Sequence, residues 1–191
     1  MSNSSGKIKL TQKNAPIFLN FLWALGLANK NNILETGEMA NPAYKLEQFA
    51  SIGGWTLATG PAMEHYSKHL FITLSANQQA MVEDMSKNIY RPCCNNNTRF
   101  PDCNHGMAML GLLELMASQG VSQEDMYKAA LAVNAFWFPD NYLTIAQYLK
   151  NGGKKDVSPK TILGAQYSSS AGYQKIKSQV MPVEGNNKGG C

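Results

Sequence analysis

A short segment of this 191-residue chain contains most of its potential metal ligands. The sequence YRPCCNNNTRFPDCNHGMAM, residues 90–109, includes Cys93, Cys94, Cys103 and His105. The whole chain has only 4 cysteines and 3 histidines, so these residue types are concentrated here. Because thiolate sulfur and neutral imidazole nitrogen are the ligands that zinc, copper and iron prefer, the segment predicts a metal site.

The two remaining histidines, His65 and His69, lie four residues apart in PAMEHYSKHLF. Pro61 favours a helix start there, and we predict a helix from Pro61 to about Ile72. On a helix this spacing places both imidazoles on one face, about one turn apart, where one ion can bind both. We expect the histidine pair and the cysteine segment to form one site, although two packed surface histidines would show the same spacing.

These six candidate ligands exceed the four positions of a tetrahedral ion. Side chains of adjacent residues usually point in different directions, so we expect only one of Cys93 and Cys94 to share an ion with Cys103. The apolar segment after Cys103 predicts a helix, with Asp102 or Asn104 as its cap. Because exposed amides at a helix start favour an anion, the Cys103 thiol should ionise more readily than a free thiol.

Methionine gives an indication of which metal would bind. The chain has 10 methionines, and Met63, Met107 and Met109 flank the two clusters. Soft thioethers beside thiolates favour copper(I), whereas methionine is also a common core residue. We expect a transition metal ion, with copper favoured over zinc and iron the weakest candidate. A spare thiolate beside the ion would allow exchange with a metal-donor or metal-acceptor protein.

Two other functions are compatible with the same residues. In a thiol-based redox enzyme or lyase, Cys103 would be the nucleophile and His105 or His65 the proton donor. Cys93 or Cys94 would then be the resolving thiol. In an oxidising compartment, a disulfide from one of these adjacent cysteines to Cys103 would instead staple a helical interaction module.

Composition and motifs argue against several other classes. The sequence contains no C-x-x-C, no H-E-x-x-H and no phosphate-binding glycine loop. The net charge of +4 is small and scattered, so we expect no nucleic-acid partner. No apolar run reaches the roughly 18 residues of a membrane span, and we expect neither a span nor a signal peptide in the sequence as given. The compartment is left open.

Hydrophobic periodicity predicts an all-α fold, a single globular helical domain over residues 14–181 with about six to eight helices. Long loops are expected in the N-terminal half, where Asn, Gly and Pro are frequent. Residues 1–13 and the Gly-rich tail 182–191, which ends in Cys191, are expected to be flexible. HLFITL, residues 69–74, is the one alternative strand. Helix-start signals occur at Asn14, at Ser75 with Gln78, at Ser122 with Asp125, and at Ser158.

Overall fold

The computed structural model describes residues 9–154 and 156–180. This part of the chain contains ten α-helices and no strand, which confirms the predicted all-α fold. Six of these helices have eight residues or more, and four are shorter. Of the predicted flexible ends, residues 1–8 and 182–191 lie outside the described part. The helices are α1 Ala15–Ala28, α2 Asn32–Thr36, α3 Ala50–Gly53, α4 Ala76–Asn88, α5 Asn104–Ser118, α6 Gln123–Trp137, α7 Pro139–Asn151, α8 Pro159–Leu163, α9 Ala165–Ser168 and α10 Ser170–Lys177.

Most of the predicted helix starts are confirmed. Ser75 and Gln78 form a complete capping box at the start of α4, each side chain accepting a hydrogen bond from the other residue's backbone N–H. Asn14 does not cap α1, because its side chain accepts from the backbone N–H of Thr11 instead. Side-chain caps also start α6 at Ser122 and α8 at Ser158.

The loop region of the N-terminal half contains short helical turns. The sequence-based prediction lacks α2, which begins because the Asn31 side chain accepts a hydrogen bond from the backbone N–H of Ile33 at 2.9 Å. Asn31 is buried, so this cap also fixes the loop against the core. Single turns of 3-10 helix lie at Glu38–Ala40, Leu46–Gln48 and Ala62–Glu64.

The predicted helix from Pro61 to Ile72 is wrong. Ala62–Glu64 form only one 3-10 turn, and Ser67 then has a left-handed φ of 54°. The backbone N–H groups of Ser67 and His69 donate to carbonyls at the end of α1, at 2.8 and 2.9 Å, and not to their own preceding turn. His69 forms an isolated parallel β-bridge with Asn29, so the alternative extended interpretation of this segment is nearer to the structure.

Helix α5 is central and is buried on most sides. It crosses α1 where Gly26 faces Gly111. A Cβ atom on Gly26 would collide with the Met107 carbonyl, and one on Gly111 with the Leu22 carbonyl. The two helices therefore touch backbone to backbone, which fixes the position of α5 and of the loop that leads into it.

Helix α5 also carries a buried carboxyl group. Glu114 accepts hydrogen bonds from the side-chain amides of Asn29 and Asn31, at 3.2 and 2.5 Å. Burial raises the pKa of Glu114 to about 8, although the two amides act in the opposite direction. Asn29 in turn accepts from the backbone N–H of Ile72 at 2.8 Å, so this network ties the central helix to the histidine segment.

A second hydrophobic cluster forms between α7, α9 and α10. Tyr142, Ile145, Tyr167 and Tyr173 are among its buried members. Tyr142 hydroxyl bonds Ser168 at 2.8 Å inside this cluster. Across the described ranges, no helix has both the length and the apolarity to cross a membrane.

Candidate metal centre

The cysteine segment is a loop between α4 and α5 that folds back on itself. Tyr90 and Asn97 form an antiparallel β-bridge. Thr98 is buried, and both its backbone N–H and its hydroxyl donate to the Ile89 carbonyl, at 2.9 and 3.0 Å. This reversal brings the adjacent cysteines over the start of α5.

The start of α10 holds the same loop from the other side. The backbone N–H of Ser170 donates to the Cys94 carbonyl at 2.9 Å. The backbone N–H of Ala171 donates to the Asn95 side chain at 2.8 Å. The position of the loop therefore depends on the second hydrophobic cluster as well as on α5.

Three thiols converge in this loop. The sulfur atoms of Cys93, Cys94 and Cys103 all lie within 4.8 Å of one another, and the Cys93 and Cys103 sulfurs are 3.7 Å apart. All three are free thiols. Two sulfurs bound to one tetrahedral zinc ion would lie about 3.8 Å apart. Both adjacent cysteines lie close to Cys103, although we expected only one of them to do so. That only one of them shares an ion with Cys103 stays a prediction.

Cys103 itself caps helix α5. Its sulfur accepts a hydrogen bond from the backbone N–H of Gly106 at 3.4 Å. The predicted caps were Asp102 and Asn104, but Asn104 accepts only from the next backbone N–H, that of His105, at 2.9 Å. The Cys103 sulfur therefore lies where the helix amides favour negative charge, as predicted.

The buried side chain of Arg91 lies beside Cys103 and is only 1% exposed. Its Nε donates to the Cys103 sulfur at 3.1 Å. Its Nη2 donates to the Asp102 carboxylate at 2.6 Å and to the Phe100 carbonyl at 3.2 Å, and its Nη1 donates to the Asn96 carbonyl at 3.0 Å. The guanidinium is thus held in one orientation and places a positive charge against the thiol.

Gly106 makes room for this guanidinium. A Cβ atom at Gly106 would overlap the terminal atoms of Arg91. Asp102 is held from its other side, because the Asn96 side-chain amide donates to its second oxygen at 2.8 Å. The thiol, the guanidinium and the carboxylate therefore form one connected polar group under the start of α5.

The three thiols differ in acidity. Hydrogen bonds from Cys93 and Cys94, together with the positive charge of Arg91, lower the pKa of Cys103. Hydrogen bonding to Cys103 raises the pKa of Cys93, and it raises the pKa of Cys94 to about 11. Of the three thiols, Cys103 is therefore the one that ionises most readily.

His105 lies next to this cluster. Its ring packs against Phe138 and Trp137, with centroids 4.5 and 5.7 Å away. A hydrogen bond from its side chain contributes to lowering the pKa of Cys103. Its Nδ1 is buried and has no hydrogen-bond partner among the described residues. The close group of three sulfurs does not include either ring nitrogen of His105, so the ring would have to move to join it.

The other two predicted ligands, His65 and His69, are brought together with each other but not with the cysteines. His65 Nδ1 lies 3.1 Å from His69 Nε2. Among the described residues, the one group of three close metal-ligating side chains consists of cysteines alone. The three cysteines and the His65–His69 pair thus form two separate groups, and His105 belongs to neither. The union of all six predicted ligands in one site remains a prediction.

The methionines that favoured copper in the sequence analysis are part of the hydrophobic core or pack against it. Met107 and Met109 are fully buried, and Met63 packs against the same hydrophobic cluster. Their placement therefore gives no reason to prefer copper over zinc.

Arg91 was not among the predicted site residues, although its guanidinium bonds both Cys103 and Asp102. The sequence does indicate a role for Arg91, because this residue stands directly before Pro92 and the two cysteines in a chain with few charges. Asp102 was considered only as a helix cap, although its carboxylate pairs with this guanidinium. A thiolate in this segment needs a compensating positive charge, which points to Arg91 and then to Asp102 as the carboxylate partner of Arg91.

No protein-family model matches this chain, and no curated protein or solved structure is significantly similar to it. The functional conclusion therefore depends on the geometry of the cysteine loop and its neighbours.

Proposed function

We propose that this protein binds a thiophilic transition-metal ion through Cys93, Cys94 and Cys103, and that it carries or senses this ion. The observation that supports this proposal is the convergence of three free sulfurs within 4.8 Å of one another. Thiolate groups at this separation match the ligand spacing of zinc and of copper(I). Binding would displace the thiol protons of Cys93 and Cys94, so affinity would rise with pH.

The surroundings suit a negatively charged metal–thiolate centre. Three thiolates around a monovalent or divalent cation carry a net negative charge. The Arg91 guanidinium at 3.1 Å from the Cys103 sulfur and the amides at the start of α5 offset that charge. An apolar pocket without these groups would disfavour the charged centre.

His105 decides the coordination number in this proposal. With His105 as fourth ligand, after a shift of its ring toward the sulfurs, the set would be three cysteines and one histidine, as in tetrahedral zinc sites. Without it, three thiolates suit copper(I). If His105 is the fourth ligand, His105→Ala should weaken zinc binding. If three thiolates bind copper(I) without it, His105→Ala should leave copper(I) binding nearly unchanged.

The test is metal analysis of the whole chain purified without an affinity metal, followed by loading with copper(I) or zinc under reducing conditions. We expect about one equivalent at the thiol cluster, lost in Cys103→Ser. Serine is itself a good helix cap, so this variant keeps the start of α5. Cys191→Ser, which makes the same change at the remaining cysteine, is the matched control and should keep the metal. Wild-type protein that binds neither ion would contradict the proposal.

A second candidate is a thiol redox pair, favoured by the 3.7 Å between the Cys93 and Cys103 sulfurs. The Cys103 thiolate would attack a peroxide oxygen, forming a sulfenic acid and releasing hydroxide. The Cys93 sulfur would then attack the sulfenic sulfur, forming the S–S bond while the S–O bond breaks and water leaves. Both thiols are oxidised by two electrons in total, and the peroxide is reduced to water.

Peroxide treatment followed by intact-mass measurement tests this second candidate. Wild-type protein and Cys94→Ser should each lose two hydrogens, whereas Cys93→Ser should stop at a sulfenic acid that a dimedone probe labels. Equal loss of hydrogens in Cys93→Ser would rule out this pairing.

A further inference from the structure

The His65–His69 pair has a geometry of its own, apart from the cysteine cluster. The ring centroids are 5.3 Å apart, and His65 Nδ1 faces His69 Nε2 at 3.1 Å. Two imidazole nitrogens bound to one tetrahedral ion at about 2.0–2.1 Å would lie about 3.3 Å apart. To hold an ion, the two nitrogens need to separate by about a few tenths of an ångström and the rings need to tilt so that both lone pairs point at the ion.

The backbone between the two histidines is held in a conformation that a helix would not allow. Ser67, midway between them, has a φ of 54°, which is costly for a residue with a side chain. Its N–H donates to the Leu27 carbonyl at 2.8 Å, and its hydroxyl accepts from the backbone N–H of Asn31 at 3.1 Å. Surrounding contacts thus stabilise the strained turn that places both imidazoles side by side.

Neighbouring groups also orient the two rings. His65 Nε2 donates to the Thr59 carbonyl at 3.1 Å, which leaves the Nδ1 lone pair facing His69. A hydrogen bond from the far ring nitrogen to a carbonyl is the usual way in which a metal-ligating histidine is fixed. The His69 ring stacks on Phe71 with an interplanar angle of 8°. Both rings are only half-buried, so solvent ions can reach them.

We infer that His65 and His69 form a second metal site, separate from the thiol cluster, for a divalent ion such as zinc, nickel or copper(II). Without the ion, His69 Nε2 donates its proton to His65 Nδ1. When the ion binds, this proton leaves Nε2, and Nδ1 of His69 takes one from water, so the ring stays neutral. Imidazole is the ligand that these ions share. Two protein ligands leave positions for water or for a ligand on a partner molecule.

The test uses the whole chain labelled with nitrogen-15 at histidine and follows the three imidazoles by NMR while zinc is added. The ring nitrogens of His65 and His69 should shift with one common midpoint. In His69→Gln the zinc response of His65 should be lost. Lys68→Gln, an exposed change between the two histidines, is the matched control and should keep it.

The same titration separates this site from the thiol cluster. In Cys103→Ser the paired response of His65 and His69 should persist, and the dispersion of the spectrum shows whether that variant is folded. Three results would overturn the inference: no shift of the pair at saturating zinc, a His65 response that survives in His69→Gln, or a paired response that disappears in folded Cys103→Ser. The last result would mean that one joint site exists.

Discussion

Arg91 and Glu114 are both buried against helix α5, and the protein accommodates them in different ways. Arg91 lies at the start of the helix, where its guanidinium pairs with the Asp102 carboxylate and the Cys103 sulfur. Glu114 lies further along the helix, where its partners are the neutral amides of two asparagines. The first group keeps its charge because opposite charge surrounds it, whereas the second has a pKa of about 8 and is mainly protonated at neutral pH.

This difference shows where the fold accepts charge. A buried ion that has well-placed partners becomes very costly to unpair, while a buried acid without a cation loses its charge instead. The start of α5 is therefore built to hold a thiolate beside a cation. The middle of α5 is built to hold a neutral hydrogen-bonding group.

Replacement of Arg91 by Met should have the largest effect on stability. It removes the cation that pairs with the Asp102 carboxylate and the Cys103 sulfur, together with the guanidinium hydrogen bonds to the Asn96 and Phe100 carbonyls. We expect a loss of about 3–5 kcal/mol in the free energy of unfolding, measured by chemical denaturation. Arg99→Met is the matched control in the same loop, because the buried Nε of Arg99 has no hydrogen-bond partner in the described part of the chain. Equal losses in the two variants would show that the pairing of Arg91 contributes little.

Gly106→Ala should have the next largest effect. The added methyl group would overlap the Arg91 guanidinium, so the side chain would have to leave its hydrogen bonds. Overpacking of this kind costs about 1–3 kcal/mol, measured in the same way. Asn104→Ala, a change in the same helical turn, should cost less, and an unchanged stability of Gly106→Ala would contradict the close packing described.

Glu114→Gln should change the pH dependence of stability. Burial raises the pKa of Glu114 in the folded chain from 4.5 to about 8, so in that window folding takes up a proton. The protonated group stabilises the fold fully when the pH is below the pKa of Glu114 in the unfolded chain. This stabilisation is lost as the pH rises through the pKa in the folded chain. Between the two values the free energy of unfolding falls by at most about 1.4 kcal/mol per pH unit. Glu114→Gln should remove this slope, and the exposed change Glu124→Gln should keep it. Parallel pH profiles for Glu114→Gln and wild type would show that folding does not change the pKa of Glu114.

Asn96→Ala should give the smallest of these effects. The Asn96 amide donates one hydrogen bond to the half-buried Asp102 carboxylate, which keeps its stronger bond to Arg91. The loss should be about 1 kcal/mol. A loss as large as that of Arg91→Met would mean that Asp102 depends on Asn96 for its orientation.

Local signals in the sequence were sufficient for much of the fold. Ser75 with Gln78, Ser122 and Ser158 each satisfy backbone donors within their own first turn, so their caps follow from nearby residues alone. The Cys103 position at the start of α5 was predictable for the same reason, together with its easier ionisation.

Features set by distant contacts were not predictable. The i, i+4 spacing of His65 and His69 is compatible with a helix, but backbone bonds to the end of α1 impose a different turn. Both adjacent cysteines lie close to Cys103 because the loop reverses its direction. This reversal cannot be predicted from the spacing of the cysteines. Burial of Arg91 needs the space at Gly106, which only the folded chain reveals.

The three thiols and the guanidinium all come from one short stretch, residues 91–103. Closing a loop this short costs little chain entropy, so the thiols remain within reach of a single ion even in the unfolded chain. An ion that also binds the unfolded chain stabilises the native fold by less free energy than an equally tight ion that binds the native site alone. In the proposed function, the nascent polypeptide can therefore capture its ion before the helices assemble, and loss of the ion need not unfold the protein.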